Sequence, residues 1–337
     1  MRVSVSPLLA LLSSAPQLSV RSGESSRTVS PTLCAQCDDH LLTATSADGS
    51  ISAKAIVSTG LVTEATQLQN LGGLAAAALG RTLSCALLVA CELKDDESFQ
   101  VKFDGDGPLR GVTALANGKL ESRGYVGNPS VALAPNALGK LDVGAGVGKG
   151  TLQVLRTKHL PGETAPTQYS SITEIRSGEV AEDINYYLAE SEQREGALAA
   201  GVFVRPADTD AVDVVAAGGW YVQCLPFAAE ESIAQLQQNI GALSSRSPTS
   251  LVREGLDARG ILELLLGGMD PQFAERRSLV GLAESCPCND ERMMRTLRLL
   301  PRDELEQILE KNEVVEAKCE FCGTVYRRTP DQIREEL

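Results

Sequence analysis

The chain has 337 residues, a net charge of −13 and a pI near 4.8, with 43% apolar and 22% charged residues. That length suits one large domain with one or two small ones, and the composition is globular, which excludes collagen-like, fully disordered and membrane-built chains. Such acidity repels phosphate backbones and gives no footprint for general nucleic-acid binding, and no apolar run is expected to reach the ~18–20 residues of a membrane helix.

Residues 1–37 are rich in Ser, carry Arg2, Arg21 and Arg27, and have Glu24 as their one acid. This is the composition of an organellar transit peptide. A secretory signal is the rival reading, because Arg2 precedes the apolar residues 3–12 and Ser13-Ser14-Ala15 could be a cleavage site. A tail with no address fits as well.

Residues 38–225 read as an α+β domain. One long helix is expected over residues 63–93, with small residues from Gly72 to Ala78 that let neighbouring elements approach its backbone. Phe99, Val101 and Phe103 alternate with polar residues, the pattern of a half-buried strand. Gly105-Asp106-Gly107-Pro108 is a turn, and Asn117-Gly118 signals a hairpin because both positions tolerate positive φ. Further strands are predicted at 152–155, 199–204, 212–215 and 220–225, the last two joined by Gly218-Gly219, with a helix over 180–191. Mostly antiparallel sheet with packed helices is the architecture these elements imply.

Residues 226–285 read as short helices separated by breakers. Ile233, Leu236 and Ile240 share one helical face, and Ile261, Leu262, Leu265 and Leu266 another, interrupted by Ser247-Pro248 and Gly267-Gly268. Such a segment is a helical linker in need of a partner surface; periodicity does not separate it from an ordinary helical subdomain. In residues 286–337 a helix is predicted near 302–310 and a closing helix after Thr329-Pro330-Asp331-Gln332, which supplies an N-cap, a proline at the first helical position and a reciprocal Gln.

This last segment concentrates the chemistry. Cys286-Pro287-Cys288 and Cys319-Glu320-Phe321-Cys322-Gly323 supply two close thiol pairs. Four thiolates make the tetrahedral site that structural zinc prefers, at about 2.3 Å per Zn–S bond. Gly323, without a Cβ, allows a tight turn after the last ligand. A C-x-C bite is tighter than the common C-x₂₋₄-C, which sets the site apart from a passive ribbon. Other readings of the thiols are buried cysteines clustered by chance, a thioredoxin-type motif at Cys319 and Cys322, disfavoured by its late position, and a zinc-ribbon nucleic-acid module, disfavoured by charge.

The chain also resembles the heat-shock protein 33 family of redox-regulated chaperones. The resemblance covers nearly everything after the N-terminal extension. It rests on Ala78-Leu79-Gly80-Arg81-Thr82, Phe103-Asp104-Gly105-Asp106-Gly107-Pro108-Leu109, Arg123-Gly124-Tyr125-Val126-Gly127-Asn128-Pro129, Gly150-Thr151-Leu152, Tyr186-Tyr187-Leu188 with Ser191-Glu192-Gln193, and the C-terminal cysteine pairs. It implies a client-binding body (38–225), a metastable linker (226–285) and a zinc-binding redox switch (286–337). Zinc, one ion per chain, would be held by Cys286, Cys288, Cys319 and Cys322 in the reduced, inactive state. Oxidation would expel it, form the disulfides Cys286–Cys288 and Cys319–Cys322, and loosen the linker. The resemblance further implies unfolded clients as partners, a homodimer when oxidised and no ATP hydrolysis; no enzyme activity is expected, and charge and hydropathy argue against nucleic acid and membrane as partners. A constitutive zinc-ribbon interaction or nucleic-acid module is the alternative. A switch that rests reduced argues for an organelle stroma or matrix over a secretory lumen; the Ser-rich, Arg-poor start favours chloroplast over mitochondrion, with cytoplasm as the alternative.

Bottom-up energetics agree with such a switch. A segment of about 50 residues is near the limit of independent folding, so bound zinc, with about 10–16 kcal/mol in small zinc peptides, can decide whether it folds.

Several other features carry less. His40 and His159 sit in no H-x-E or H-E-x-x-H context, which removes most metalloprotease, deaminase and Ser/Cys-His readings. The glycine-rich residues 142–150 fail a Walker A loop at Val143 and Gly150, and a G-x-G-x-x-G at Lys149, leaving a loop before a strand. Cys34 and Cys37 fall at the end of the transit-like segment, while Cys85, Cys91 and Cys224 read as buried small hydrophobes and Trp220 as core.

Overall fold

The computed structural model describes residues 38–137, 139–158, 165–206, 212–226, 228–311 and 314–336. The transit-like segment with Cys34 and Cys37, and His159, lie outside the described residues. The chain divides between Ser285 and Cys286 into two compact units.

The larger unit opens with strands β1 (His40–Thr45) and β2 (Ile51–Val57) and helices α1 (Thr59–Gln69) and α2 (Gly73–Ala90). Strands β3 (Ser98–Gly105), β4 (Val112–Asn117) and β5 (Ser122–Val126) follow, then helix α3 (Val143–Val147), β6 (Gly150–Lys158) and β7 (Thr167–Glu174). Helix α4 (Val180–Glu192) leads to β8 (Gly196–Pro206) and β9 (Val212–Cys224). Helices α5 (Glu230–Ala242), α6 (Pro248–Arg253) and α7 (Ala258–Leu265), the two-residue strands β10 (Gln272–Phe273) and β11 (Arg277–Ser278), and helix α8 (Leu282–Ser285) complete it. One antiparallel sheet runs β10-β1-β2-β9-β8 with β11 also on β1, and the other runs β5-β4-β3-β6-β7. The α+β class and its antiparallel sheets are as the pattern implies.

Helix α2 is the centre of this unit. Its Ala75, Ala76, Ala77 and Ala78 allow close approach, and Leu79, Leu83 and Leu87 are fully buried with Phe99, Val101 and Phe103 of β3. The expectation that no segment is long and apolar enough to cross a membrane needs correcting: α2 has 18 residues with a mean hydropathy of 1.6. The helix is 89% buried inside the protein, so its apolarity is that of a core helix.

Four local expectations also change. The single long helix is two, because Asn70 closes α1 in the left-handed region at φ 52° and the Gly72 amide donates to Pro129 O at 2.8 Å. The strands at 212–215 and 220–225 are one 13-residue strand. Gly218 and Gly219 lie within it and do not turn the chain: a Cβ there would come within 2.6 Å of Ile56 O and Ala199 O on the two flanking strands. At the β4–β5 hairpin the positive φ falls on Leu120, at 64°, while the Asn117 side chain accepts from the Lys119 and Glu121 amides. Residues 143–147, expected as loop, form the short helix α3, capped where Asp142 accepts from the Ala145 amide at 2.9 Å.

The smaller unit contains α9 (Asp290–Arg298), α10 (Arg302–Glu310), the antiparallel pair β12 (Val315–Lys318) and β13 (Val325–Arg328), and α11 (Pro330–Glu336). Its core is Met293, Met294, Leu297, Leu309, Val315, Ala317 and Ile333. Thr329 and Gln332 exchange reciprocal backbone–side-chain hydrogen bonds at the start of α11, the predicted capping pattern.

Candidate metal centre

The β12–β13 turn places one thiol pair. The Cys319 amide donates to Thr324 O at 2.8 Å and the Gly323 amide to Cys319 O at 2.9 Å, closing a tight knuckle. Gly323 takes φ 72°, a conformation that favours glycine. The other pair comes just before α9, where Asn289 caps the helix by accepting from the Arg292 amide at 2.9 Å.

The four sulfurs lie within 4.8 Å of one another, with Cys286 to Cys319 at 3.7 Å and Cys288 to Cys322 at 3.3 Å. Cys319 and Cys322 are buried; Cys286 and Cys288 are partly exposed. A tetrahedral ion with 2.3 Å bonds to sulfur needs its four donors about 3.8 Å apart, so this donor set fits a four-thiolate metal site without rearrangement of the backbone. The Thr324 hydroxyl lies 3.1 Å from Cys322 Sγ, and the Tyr326 hydroxyl donates to Cys288 Sγ at 3.1 Å. Among the described residues this is the one group of three or more Cys, His, Asp or Glu side chains close enough to share an ion.

The thiols also tune one another. Hydrogen bonds from Cys286 and then Cys319 hold Cys322 far below the ordinary thiol range. Hydrogen bonding to Cys319 and then Cys322 pushes Cys286 up. The protons are thus held unevenly among these sulfurs, and a soft cation would take their place on the four-sulfur donor set.

Other predicted positions lie elsewhere. Burial in α2 pushes Cys85 up to about 12, and burial raises Cys91 to about 11, which makes both inert thiols. Cys224, expected to be buried, is partly exposed at the end of β9. Trp220 is core. His40 is a buried structural residue: its Nε2 accepts the Ala258 amide at 3.2 Å and its Nδ1 lies 2.6 Å from Asp38 O.

The segment between β9 and the first ligand has its own surface. Leu236, Leu243, Leu251, Ile261, Leu262, Leu265 and Leu266 of α5, α6, α7 and their junctions pack on Leu42, Ala44, Ile51, Trp220 and Val222, which face away from α2. Asn239 clips α5 to α7 by donating to Leu265 O and Gly267 O, each at 2.9 Å. Ser232 donates to Asp48 in the β1–β2 turn at 2.6 Å. Sequence reasoning missed Asp48, His40 and the β10 and β11 pairings, because each acts on a residue far away in the chain and leaves no local pattern.

The fold and this site define an α+β protein of two units, the second built around four cysteines placed to share a metal ion. Comparison with known proteins gives the class its family. The model of the Hsp33 protein family matches residues 39–329. The 33 kDa chaperonin of Cyanothece sp. is 42% identical over 301 residues, covering 88% of this chain and 96% of the relative. That of Symbiobacterium thermophilum is 41% identical over 296 residues, covering 88% and 96%. The crystal structure of the 33 kDa chaperonin, a heat shock protein 33 homologue, from Thermotoga maritima superposes with a TM-score of 0.78 at 32% identity, covering 88% of this chain and 97% of that one. The chain belongs to the Hsp33 family, and its relatives support a chaperone function.

Proposed function

We propose that this protein is an ATP-independent holdase that is off when reduced and zinc-bound and on when oxidised, protecting unfolding proteins from aggregation under oxidative stress. The observation that carries the reading is the closure of four thiols to within 4.8 Å, beginning at the residue that directly follows the docked segment 226–285. Cys286, Cys288, Cys319 and Cys322 are the ligands. Bound zinc supplies the positive charge that keeps all four as thiolates and adds its binding energy to a unit with a small apolar core.

Peroxide attack on one thiolate gives a sulfenic acid, and a neighbouring thiol displaces its oxygen as water to form the disulfide; each disulfide consumes one peroxide and releases two waters. The pairs are Cys286–Cys288 and Cys319–Cys322, as in the family the chain resembles. Loss of the metal unfolds the small unit, the linker helices leave the outer face of the first sheet, and Leu42, Ile51, Trp220 and the apolar sides of α5 and α7 become available to clients. The oxidised form is a homodimer. The basic, Ser-rich start directs the chain to an organelle stroma or matrix, with chloroplast before mitochondrion.

Replacing Cys319 by Ser tests this. In reductant the variant is expected to show faster proteolysis of residues 226–285 and partial suppression of client light scattering, while Cys85→Ser stays inactive. A Cys319→Ser protein as protease-resistant and as inactive as the parent rules the mechanism out.

A further inference from the structure

Glu64 lies on α1 but does not serve the packing of that helix, whose buried residues are Leu61, Val62, Ala65, Thr66 and Gln69. Its two carboxylate oxygens instead accept backbone amides from the far end of the linker: Leu282 N at 2.9 Å and Ala283 N at 3.0 Å. Gly281 stands against the same carboxylate, where an added Cβ would meet Oε2 at 3.0 Å. Leu282 inserts into the main core at 1% exposure, and the Ser285 hydroxyl donates to Ser122 O at 2.6 Å. The next residue is Cys286.

α8 is a single turn of four residues, too short to persist alone. It stands because it is held from outside: by Glu64 and Ser122 O, and by the burial of Leu282. Upstream of it the linker meets β1 through two short pairings, and Arg277 donates to Cys91 O at 2.9 Å and to Gly118 O. β11 pairs with β1 through Ser278 and Arg277 only, and β10 through Phe273 and Gln272 only.

Resting on the holdase reading above, we infer that Glu64 is the positioning residue that relays the state of the cysteine unit to the linker. With Cys286 fixed in a folded unit, the C-terminal end of α8 is restrained and both amides stay on the Glu64 carboxylate. When the unit unfolds, the restraint on α8 goes, the two charge-assisted hydrogen bonds and the Leu282 contact are lost together, and detachment proceeds backwards through β11 and β10 to α7. A carboxylate suits this role because each bond to it is stronger than a neutral one, yet both break in one step when the turn moves.

The relay predicts more than a weakened contact. In the full-length protein in reductant, Glu64→Ala should keep zinc at the parent stoichiometry while residues 226–285 are cleaved about tenfold faster, as the loss of two charge-assisted bonds allows. It should also suppress client light scattering without oxidant. In a double-mutant cycle with Cys319→Ser, the double variant should be cleaved no more than about twofold faster than the faster single variant, because both changes break the same connection. A merely structural role for Glu64 would give effects that multiply, and that result overturns the relay, as does a Glu64→Ala linker that stays as resistant as the parent's. If thermal melting shows that Glu64→Ala fails to fold, Glu64→Gln, which keeps the shape and one acceptor oxygen, is judged by the same criteria. Oxidised parent protein separates the two readings. A linker opened by oxidant in the parent but closed in zinc-bound Glu64→Ala removes the relay alone; a parent linker that oxidant leaves resistant removes the holdase switch and the relay with it.

Discussion

Around α2 the larger unit places Leu79, Leu83 and Leu87 against Phe99, Val101 and Phe103, with both sheets contributing side chains to one continuous core. The smaller unit has Met293, Met294, Leu297, Leu309, Val315, Ala317 and Ile333, and beside them four thiols that repel one another as thiolates. Burial alone stabilises the first. In the proposed switch, a cation turns the most repulsive feature of the second into its strongest bond. Between them in sequence, residues 226–285 pack a substantial apolar face on the first sheet but end in two-residue strands and a one-turn helix. If the proposed metal dependence of the second unit holds, such a fold can change state locally without losing its body.

Metal removal should break this contrast most strongly. Chelation in reductant is expected to remove a stabilisation of up to about 10–16 kcal/mol from residues 286–336. Amide exchange there should become unprotected while α2 remains protected. Equal loss of protection in both would show that the units are not energetically distinct. Leu83→Ala tests the opposite side: truncating a fully buried side chain should cost the larger unit about 2–5 kcal/mol in denaturant unfolding and leave the zinc content unchanged.

The smallest effect is electrostatic and concerns the linker. Hydrogen bonds from Ser232 first, then Ser46 and Ser50, hold the Asp48 carboxyl well below its usual range. A depressed folded-state value means the stabilisation is present above the unfolded value of about 3.9 and is lost as pH falls through the folded one. The difference in α5 amide protection between parent and Asp48→Asn should therefore be constant from neutral pH to about 5 and shrink below about 4.

The same contrast explains what could be read in the amino-acid pattern. The alternation at Phe99, Val101 and Phe103, the capping residues of α11 and the faces of α5 and α7 are local signals, and the structure carries each of them. The four cysteines stand out by residue type and spacing, and the fold brings their sulfurs together. What escaped depends on distant partners. Gly218-Gly219 looks like a turn until β2 and β8 flank it, and residues 70–72 look helical until Pro129 accepts the Gly72 amide. Glu64 is one more helix-surface carboxylate until α8 arrives more than two hundred residues later.

The central claim is that metal binding and client binding are opposed states of one switch. It is tested most directly by a single oxidant titration of the reduced, zinc-loaded protein, following released zinc and suppression of client light scattering in the same samples. The account predicts that the two rise together, with the same midpoint, and that both reverse on reduction with zinc resupplied. Full client protection with zinc still bound, or complete zinc release with no gain in protection, would contradict it.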